Sequence, residues 1–132
     1  MSNSAASRGR PLSPHLTIYR WTPTMAMSIV HRATGIALYA GTLLVAWWLV
    51  AAAGPASWFD TARWAIGSWL GILVLVGFSW ATWHHLLGGL RHFLWDTGVG
   101  MEKPTSTLLA WLTLAGSLLL TAVTWAVFLI WF

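Results

Sequence analysis

The amino-acid sequence predicts an all-α membrane protein with three transmembrane helices. Of its 132 residues, 58% are hydrophobic and only 8% are charged, whereas roughly a quarter of the residues in a typical soluble domain are charged. Three apolar stretches, at residues 25–53, 64–95 and 107–131, each exceed the roughly 20 residues that a helix needs to cross a hydrocarbon core about 30 Å thick. We expect residues 1–23 to form an N-terminal cytoplasmic or interfacial segment and residues 24–132 to form the transmembrane anchor.

The distribution of lysine and arginine predicts the orientation. Cytoplasmic segments near membrane spans are enriched in these residues, and here only Arg63 lies on the opposite side from the rest. We therefore expect a cytoplasmic N-terminus, with Phe132 on the other face. The remaining basic residues flank the start of the first span or the junction of the second and third: Arg8, Arg10, Arg20, Arg32, Arg91 and Lys103.

The composition excludes several classes of site. The chain has no cysteine, which rules out disulfides, thiolate metal sites, a covalently attached c-type haem and iron–sulfur clusters held by this chain. A redox cofactor bound here must therefore use histidine or methionine. The seven lysines and arginines form no basic run, so we expect a lipid bilayer and no nucleic acid among the partners.

The polar N-terminal segment closes with the stretch PLSPHLTIYRW at residues 11–21. Tyr19 and Trp21 could anchor this stretch in the aromatic belt at the membrane surface, or the stretch could dock a partner. The segment has neither the apolar core of a secretory signal nor the arginine-rich pattern of a transit peptide. We therefore expect a bacterial inner membrane rather than a mitochondrial one.

Polar residues interrupt the first and second spans at similar depths. His31 lies eight residues beyond Pro23, or about 12 Å into the membrane at a rise of ~1.5 Å per residue. His85 lies eleven residues before Asp96, or about 16 Å into the membrane. One stripe of the second span contains four residues at helical spacing: His85, Gly89, His92 and Asp96. A stripe of the first span contains three residues at helical spacing, with His31 one position aside: Ser28, Arg32 and Gly35. Because polar groups are costly in a membrane, we expect these stripes to face each other across a buried pocket.

A histidine with a glycine one turn away suits haem, because neutral imidazole is an axial ligand of haem iron and glycine leaves room for the porphyrin face. His85 and Gly89 have this spacing. Arg32 and Arg91, nearer the aqueous edge, could neutralise the haem propionates. The alternatives are a histidine that bonds between helices and a proton relay. Adjacent helical residues point about 100° apart, so we expect His84 to turn toward another helix or a buried water.

A hydroxyl and a guanidinium one turn apart suggest a second ligand. Ser28 and Arg32 could bind a quinone, whose carbonyl oxygens accept hydrogen bonds and whose one-electron-reduced form gains from a nearby cation. The alternative is that Ser28 bonds to its own helix backbone and that Arg32 extends to the membrane surface. The sequence leaves both interpretations open.

Three motifs resemble the signatures of the cytochrome b556 membrane anchors of succinate dehydrogenase, respiratory complex II. They are RPLSPHLTIY at residues 10–19, SIVHRATG at residues 28–35 and HLLGGLRHFLWD at residues 85–96. The resemblance covers essentially the whole chain. It implies three spans with an inward N-terminus, within a heteromeric helix bundle shared with another membrane chain.

The resemblance implies roles for individual residues. It makes His85, four positions before Gly89, the axial ligand of a haem b iron. His31 and Arg32 match positions near the haem propionates, and Ser28 and Arg32 match positions that line the ubiquinone site. The motif includes three more polar residues, for cofactor binding, proton entry or helix capping: Arg91, His92 and Asp96.

The resemblance also implies partners. A flavoprotein subunit would oxidise succinate, an iron–sulfur subunit would pass the electrons to ubiquinone, and a second membrane-anchor subunit would give the other haem ligand. We expect this chain to carry no catalytic residue alone and to dock the soluble subunits. Three other functions stay open: the anchor of a quinol:fumarate reductase, a haem-free structural anchor, and a proton channel or small transporter.

Overall fold

The computed structural model describes residues 20–131, which form four α-helices and no strand. The helices are α1 (Pro23–Ala53), α2 (Ala56–Gly67), α3 (Trp69–Asp96) and α4 (Lys103–Trp131). Helices α1, α3 and α4 are long and apolar enough to cross a membrane. The predicted all-α fold class with three apolar spans is therefore confirmed, while Tyr19 and the rest of the N-terminal stretch before residue 20 lie outside the described residues.

Helix α1 begins at a conventional N-terminal cap. The Thr22 hydroxyl accepts a hydrogen bond from the Met25 amide over 3.3 Å, and Pro23 occupies the first helical position, where no amide hydrogen is required. The helix then runs for 31 residues, which corresponds to about 46 Å. It is therefore long enough to cross the hydrocarbon core and extend into the headgroup region.

The second span differs from its predicted extent. Residues 56–67 form the separate helix α2, and the membrane-crossing helix begins at Trp69 rather than at residue 64. The reason is Ser68, whose backbone is extended and whose hydroxyl accepts a hydrogen bond from the Gly71 amide over 3.1 Å. A side chain at position 71 would overlap the carbonyl oxygens of Ala65 and Ile66. Gly71 thus permits this sharp corner between α2 and α3.

The turn from α3 to α4 depends on two glycines. Gly98 and Gly100 have φ angles of 80° and 79°, in the left-handed region that only glycine adopts readily. The Trp95 indole donates a hydrogen bond to the Gly100 carbonyl over 3.1 Å. Helix α4 then begins at Lys103, four residues before its predicted start, with Pro104 inside the first turn, where proline is tolerated.

Small and polar residues form the contacts between helices, whereas large apolar side chains point outward. Ala81, Ala110 and Ser117 are buried, while Ile36 and Leu119 are exposed. Lipid chains are as apolar as leucine, so helices in a membrane associate through close packing and hydrogen bonds. The distribution of side chains is therefore the one expected of a bundle surrounded by lipid.

Helix α3 packs against both α1 and α4, and most extensively against α4. The buried stripe of α4 consists of small residues at spacings of three and four: Ala110, Thr113, Ser117 and Thr121. The hydroxyls of Thr113 and Thr121 each donate to a carbonyl of their own helix over 2.8 Å, so neither is left unsatisfied in the interior. This places α3, with its histidines, at the centre of the bundle.

We expect Gly41 to be required for the contact between α1 and α3. A Cβ atom at position 41 would overlap the Phe78 ring on α3, whereas one at Gly77 would meet nothing within 4 Å. Gly41→Ala should therefore destabilise the protein by about 1–3 kcal/mol, despite the better helix propensity of alanine. Gly77→Ala should be neutral or slightly stabilising. Thermal unfolding of the purified protein, followed by circular dichroism, tests the pair, and equal melting temperatures would contradict the assignment.

Candidate functional site

Two histidine rings form the centre of the candidate site. His31 of α1 and His85 of α3 stack with ring centroids 4.1 Å apart and planes inclined by 10°. The motif at residues 28–35 and the motif at residues 85–96 therefore meet where α1 packs against α3, as their similar predicted depths indicate. Arg32, His92 and Asp96, which the predicted stripes place in a buried pocket, are instead exposed. The stack fixes the position of both imidazoles relative to each other.

Glycines allow this stack to form. The His31 ring occupies the space that a Cβ atom at Gly88 would fill, and a Cβ atom at Gly35 would lie 3.0 Å from Cε1 of His85. Each histidine therefore rests against a glycine of the opposite helix. Any larger residue at either glycine would force the rings or the helices apart.

The hydrogen bonds of His85 define its tautomer. Its Nδ1 lies 3.1 Å from the His31 carbonyl oxygen and 3.4 Å from the Thr34 hydroxyl. The hydroxyl itself donates to that carbonyl over 2.9 Å. Because a carbonyl oxygen can only accept, Nδ1 of His85 carries the proton, and the lone pair is on Nε2. Nε2 has no hydrogen bond within residues 20–131.

Gly89 leaves the neighbouring surface of α3 open. A Cβ atom at this position would meet nothing within 4 Å, although Gly89 lies one turn from His85. An imidazole nitrogen beside an open helix face fits an axial ligand next to a flat macrocycle. Among the described residues, no group of three or more histidine and carboxylate side chains could hold a metal ion alone.

His84 faces a different helix from His85. It is fully buried, its Nδ1 lies 3.2 Å from the Ser117 hydroxyl of α4, and the Trp80 ring lies 5.2 Å away. The hydroxyl donates to the Leu114 carbonyl, so it accepts from Nδ1–H of His84. His84 is thus turned toward another helix, as expected from its position next to His85.

Two contacts of the site, those of Ser117 and Thr34, are not predicted by the sequence analysis. Ser117 lies in the third span, which has no ionisable residue and for which the sequence predicts only packing and lipid contact. The feature of the sequence that could have predicted this contact is the stripe of hydroxyl residues at helical spacing: Thr113, Ser117 and Thr121. Thr34 lies within the first motif, but only the structure shows that its hydroxyl contacts His85.

Ser28 and Arg32 lie together near the beginning of α1. Ser28 is half-buried and Arg32 is exposed. Neither side chain makes a hydrogen bond or ion pair within residues 20–131, whereas Thr42 and Ser79 both donate to carbonyls of their own helices. The alternative in which Ser28 bonds to its own helix is therefore not what the structure shows. The exposure of Arg32 agrees with the alternative in which its side chain extends to the membrane surface.

The remaining candidate residues divide between two faces of α3. His92 is exposed, and its ring lies 5.3 Å from the His31 ring and edge-on to Trp95. Asp96 is exposed at the last position of α3. Arg91 instead lies on the face that contains His84, only 4% exposed, with its guanidinium carbon 5.0 Å from the Trp95 ring centroid. The His85 group therefore extends to His92 but not to Arg91.

The chain matches a known family over nearly its full length. The sequence profile of the succinate dehydrogenase/fumarate reductase transmembrane subunits matches residues 6–124. That range contains both histidine motifs and all three membrane-crossing helices except the last residues of α4.

Individual relatives agree with this match. The chain is 46% identical to the succinate dehydrogenase cytochrome b556 subunit of Paracoccus denitrificans over 121 residues, which cover 92% of this chain and 93% of that protein. The corresponding subunit of Rickettsia typhi is 37% identical over 116 residues, covering 88% and 90%. The mitochondrial cytochrome b560 subunit of Sus scrofa is 39% identical over 109 residues, covering 80% of this chain and 63% of that protein. The chain therefore belongs to the family of succinate dehydrogenase and fumarate reductase transmembrane subunits.

Proposed function

We propose that this chain is the haem b- and quinone-binding anchor of a succinate dehydrogenase, with Nε2 of His85 as an axial ligand of the haem iron. The single observation that carries the proposal is the state of His85. Its Nδ1 is held by the His31 carbonyl, its Nε2 has no hydrogen bond in the described part of the chain, and the helix surface at Gly89 is open. The hydrogen bond to Nδ1 orients the ring and raises the basicity of Nε2.

The residues of this chain hold and orient the cofactor. His85 would bind the iron, Gly89 would lie beneath the porphyrin face, and His31 and Arg32 would pair with the propionates near the aqueous end. Bound haem supplies a one-electron carrier with a potential set by its ligands and surroundings. The names of the relatives include cytochrome b556, which supports a b-type haem. The second axial ligand would come from a partner membrane anchor.

Ser28 and Arg32 would bind ubiquinone at the same end of the bundle. The Ser28 hydroxyl, which has no hydrogen-bond partner within residues 20–131, can donate to a quinone carbonyl oxygen. The Arg32 guanidinium can stabilise the negative charge that develops when the quinone accepts an electron. The one-turn spacing of the two residues on α1 places both groups on one side of the helix. This chain would thereby bind the electron acceptor while its partners carry out the chemistry on succinate.

The partners follow from the same assignment. A flavoprotein subunit and an iron–sulfur subunit would dock on the cytoplasmic face, where the surplus of lysine and arginine predicts the N-terminus to be. The bacterial sources of two relatives support a bacterial inner membrane. No catalytic residue is proposed on this chain alone, because electron transfer requires cofactors that only the assembled complex contains.

Replacing the proposed iron ligand tests the haem site. His85→Leu should remove the haem from the purified complex, because the leucine side chain cannot bind iron. His84→Gln is the matched control at the neighbouring position, since its amide can still bond to Ser117, and it should retain the haem. A pyridine haemochrome assay, with the visible spectrum of the reduced complex, measures both. Active wild-type complex without haem would instead indicate a haem-free structural anchor.

Filling the open surface at position 89 tests where the porphyrin lies. Gly89→Leu should lower the haem content several-fold while leaving the helices folded, because no described residue lies within 4 Å of the added Cβ atom. Gly77→Leu makes the same change on the same helix, also with no neighbour within 4 Å, and should leave the haem content unchanged. Haem per complex and circular dichroism are measured together. Full haem content in Gly89→Leu would place the porphyrin elsewhere.

Removing the proposed quinone contact should separate two activities. Arg32→Leu should lower succinate:quinone reductase activity by about tenfold or more, the effect expected for the loss of a charge-assisted hydrogen bond, while succinate oxidation by an artificial dye stays near the wild-type rate. Arg63→Leu, at an exposed arginine of α2, is the control and should preserve both rates. Equal loss of both activities in Arg32→Leu would indicate a docking defect and not a quinone site.

A further inference from the structure

Arg91 is a buried cation that the proposed haem and quinone sites do not use. It is 4% exposed, and its Nε and Nη1 atoms are buried without a hydrogen-bond partner in the described part of the chain. Within residues 20–131, the guanidinium makes a cation–π contact with the Trp95 ring. A guanidinium held in a membrane without a counter-charge is strongly unfavourable, so an anion is expected to bind it.

The chain itself does not provide that anion. It has three acidic residues, Asp60, Asp96 and Glu102. Asp60 lies in α2, at the opposite end of α3, and the other two are exposed and form no ion pair with Arg91. Residues 1–19 contain neither aspartate nor glutamate. The counter-charge must therefore come from another molecule.

Arg91 lines a groove between α3 and α4 with a volume of about 230 Å³. The other lining residues are five leucines and a threonine whose hydroxyl is already bonded to its own helix: Leu87, Leu90, Leu94, Leu109, Leu112 and Thr113. Leu90 and Leu112 are about half-exposed, so the groove opens to the outside of this chain. It thus combines one unpaired cation with a long apolar wall.

The groove lies near one end of the membrane-crossing helices, at the depth of the headgroup end of a lipid leaflet. Arg91 lies five residues before the end of α3 at Asp96, or about 7–8 Å along the helix, at the same end of the bundle as Lys103. Arg91 lies on the same face of α3 as His84, and this face packs against α4. That face is about 100° from the surface proposed for haem.

We propose that this groove binds one anionic phospholipid, with the phosphate at the Arg91 guanidinium and an acyl chain along the leucines between α3 and α4. The buried guanidinium supplies charge complementarity for a phosphate, and the leucines supply the apolar contact that a soluble anion would not use. The ligand would stabilise the α3–α4 contact near the cytoplasmic end, independently of the haem.

The test uses the purified, delipidated complex in detergent and phosphatidylglycerol as the probe. Native mass spectrometry should detect one tightly bound phosphatidylglycerol per copy of this chain, with about tenfold weaker binding of phosphatidylcholine. Arg91→Gln should abolish the preference while the haem content stays constant. Lys103→Gln removes a positive charge at the same end of the bundle without altering the groove, so the preference should persist in this control.

A second variant keeps the charge and fills the groove. Leu112→Trp, at a half-exposed lining residue, should displace the bound lipid with Arg91 intact, and it decides the matter if Arg91→Gln does not assemble. Retention of phosphatidylglycerol in either variant would overturn the proposal. Loss of haem from Arg91→Gln with lipid binding unchanged in Leu112→Trp would assign Arg91 to a propionate instead. Displacement of the lipid by millimolar inorganic phosphate would show that the groove binds a soluble anion, and this result would also overturn the proposal.

Discussion

The packing of each central histidine against a glycine of the opposite helix is the contact on which the rest of the site depends. His31 rests on Gly88 and His85 rests on Gly35, and the two rings stack between them. This arrangement brings the His31 carbonyl within reach of Nδ1 of His85. The same contact therefore joins α1 to α3 and selects the tautomer of His85, whose Nε2 has no hydrogen bond among the described residues.

The membrane explains why polar residues occupy the interior. Large apolar side chains gain little from packing against each other when lipid is the alternative, whereas an unsatisfied polar group is costly. The buried hydroxyls of α4 are accordingly bonded to their own helix, and Ser117 also binds His84. Arg91 is the exception among the described residues with charged side chains, because it is buried and its Nε and Nη1 atoms have no hydrogen-bond partner there. A bound anionic lipid would account for that exception.

Helix α3 separates its functions by rotation around its axis. His85 and Gly89 lie on one face, while His84, Gly88 and Arg91 lie on the adjacent face toward the other helices. A difference of one residue corresponds to about 100°, which is enough to direct neighbouring histidines to different partners. His85 therefore packs against α1 beside the open surface at Gly89, while His84 and Arg91 face α4.

The sequence alone determined the three apolar helices, the shared depth of the two motifs and the stripe that joins His85 to Gly89, because length, hydropathy and helical periodicity are local properties. It did not determine the helix break at Ser68, which depends on a hydroxyl cap and a close backbone contact at Gly71. Only the tertiary structure decided that Gly88 receives His31, that Ser117 binds His84 and that Arg91 turns toward α4. Periodicity fixes the angles between residues around one helix, but the rotation of each helix relative to its neighbours is set by contacts between residues distant in sequence.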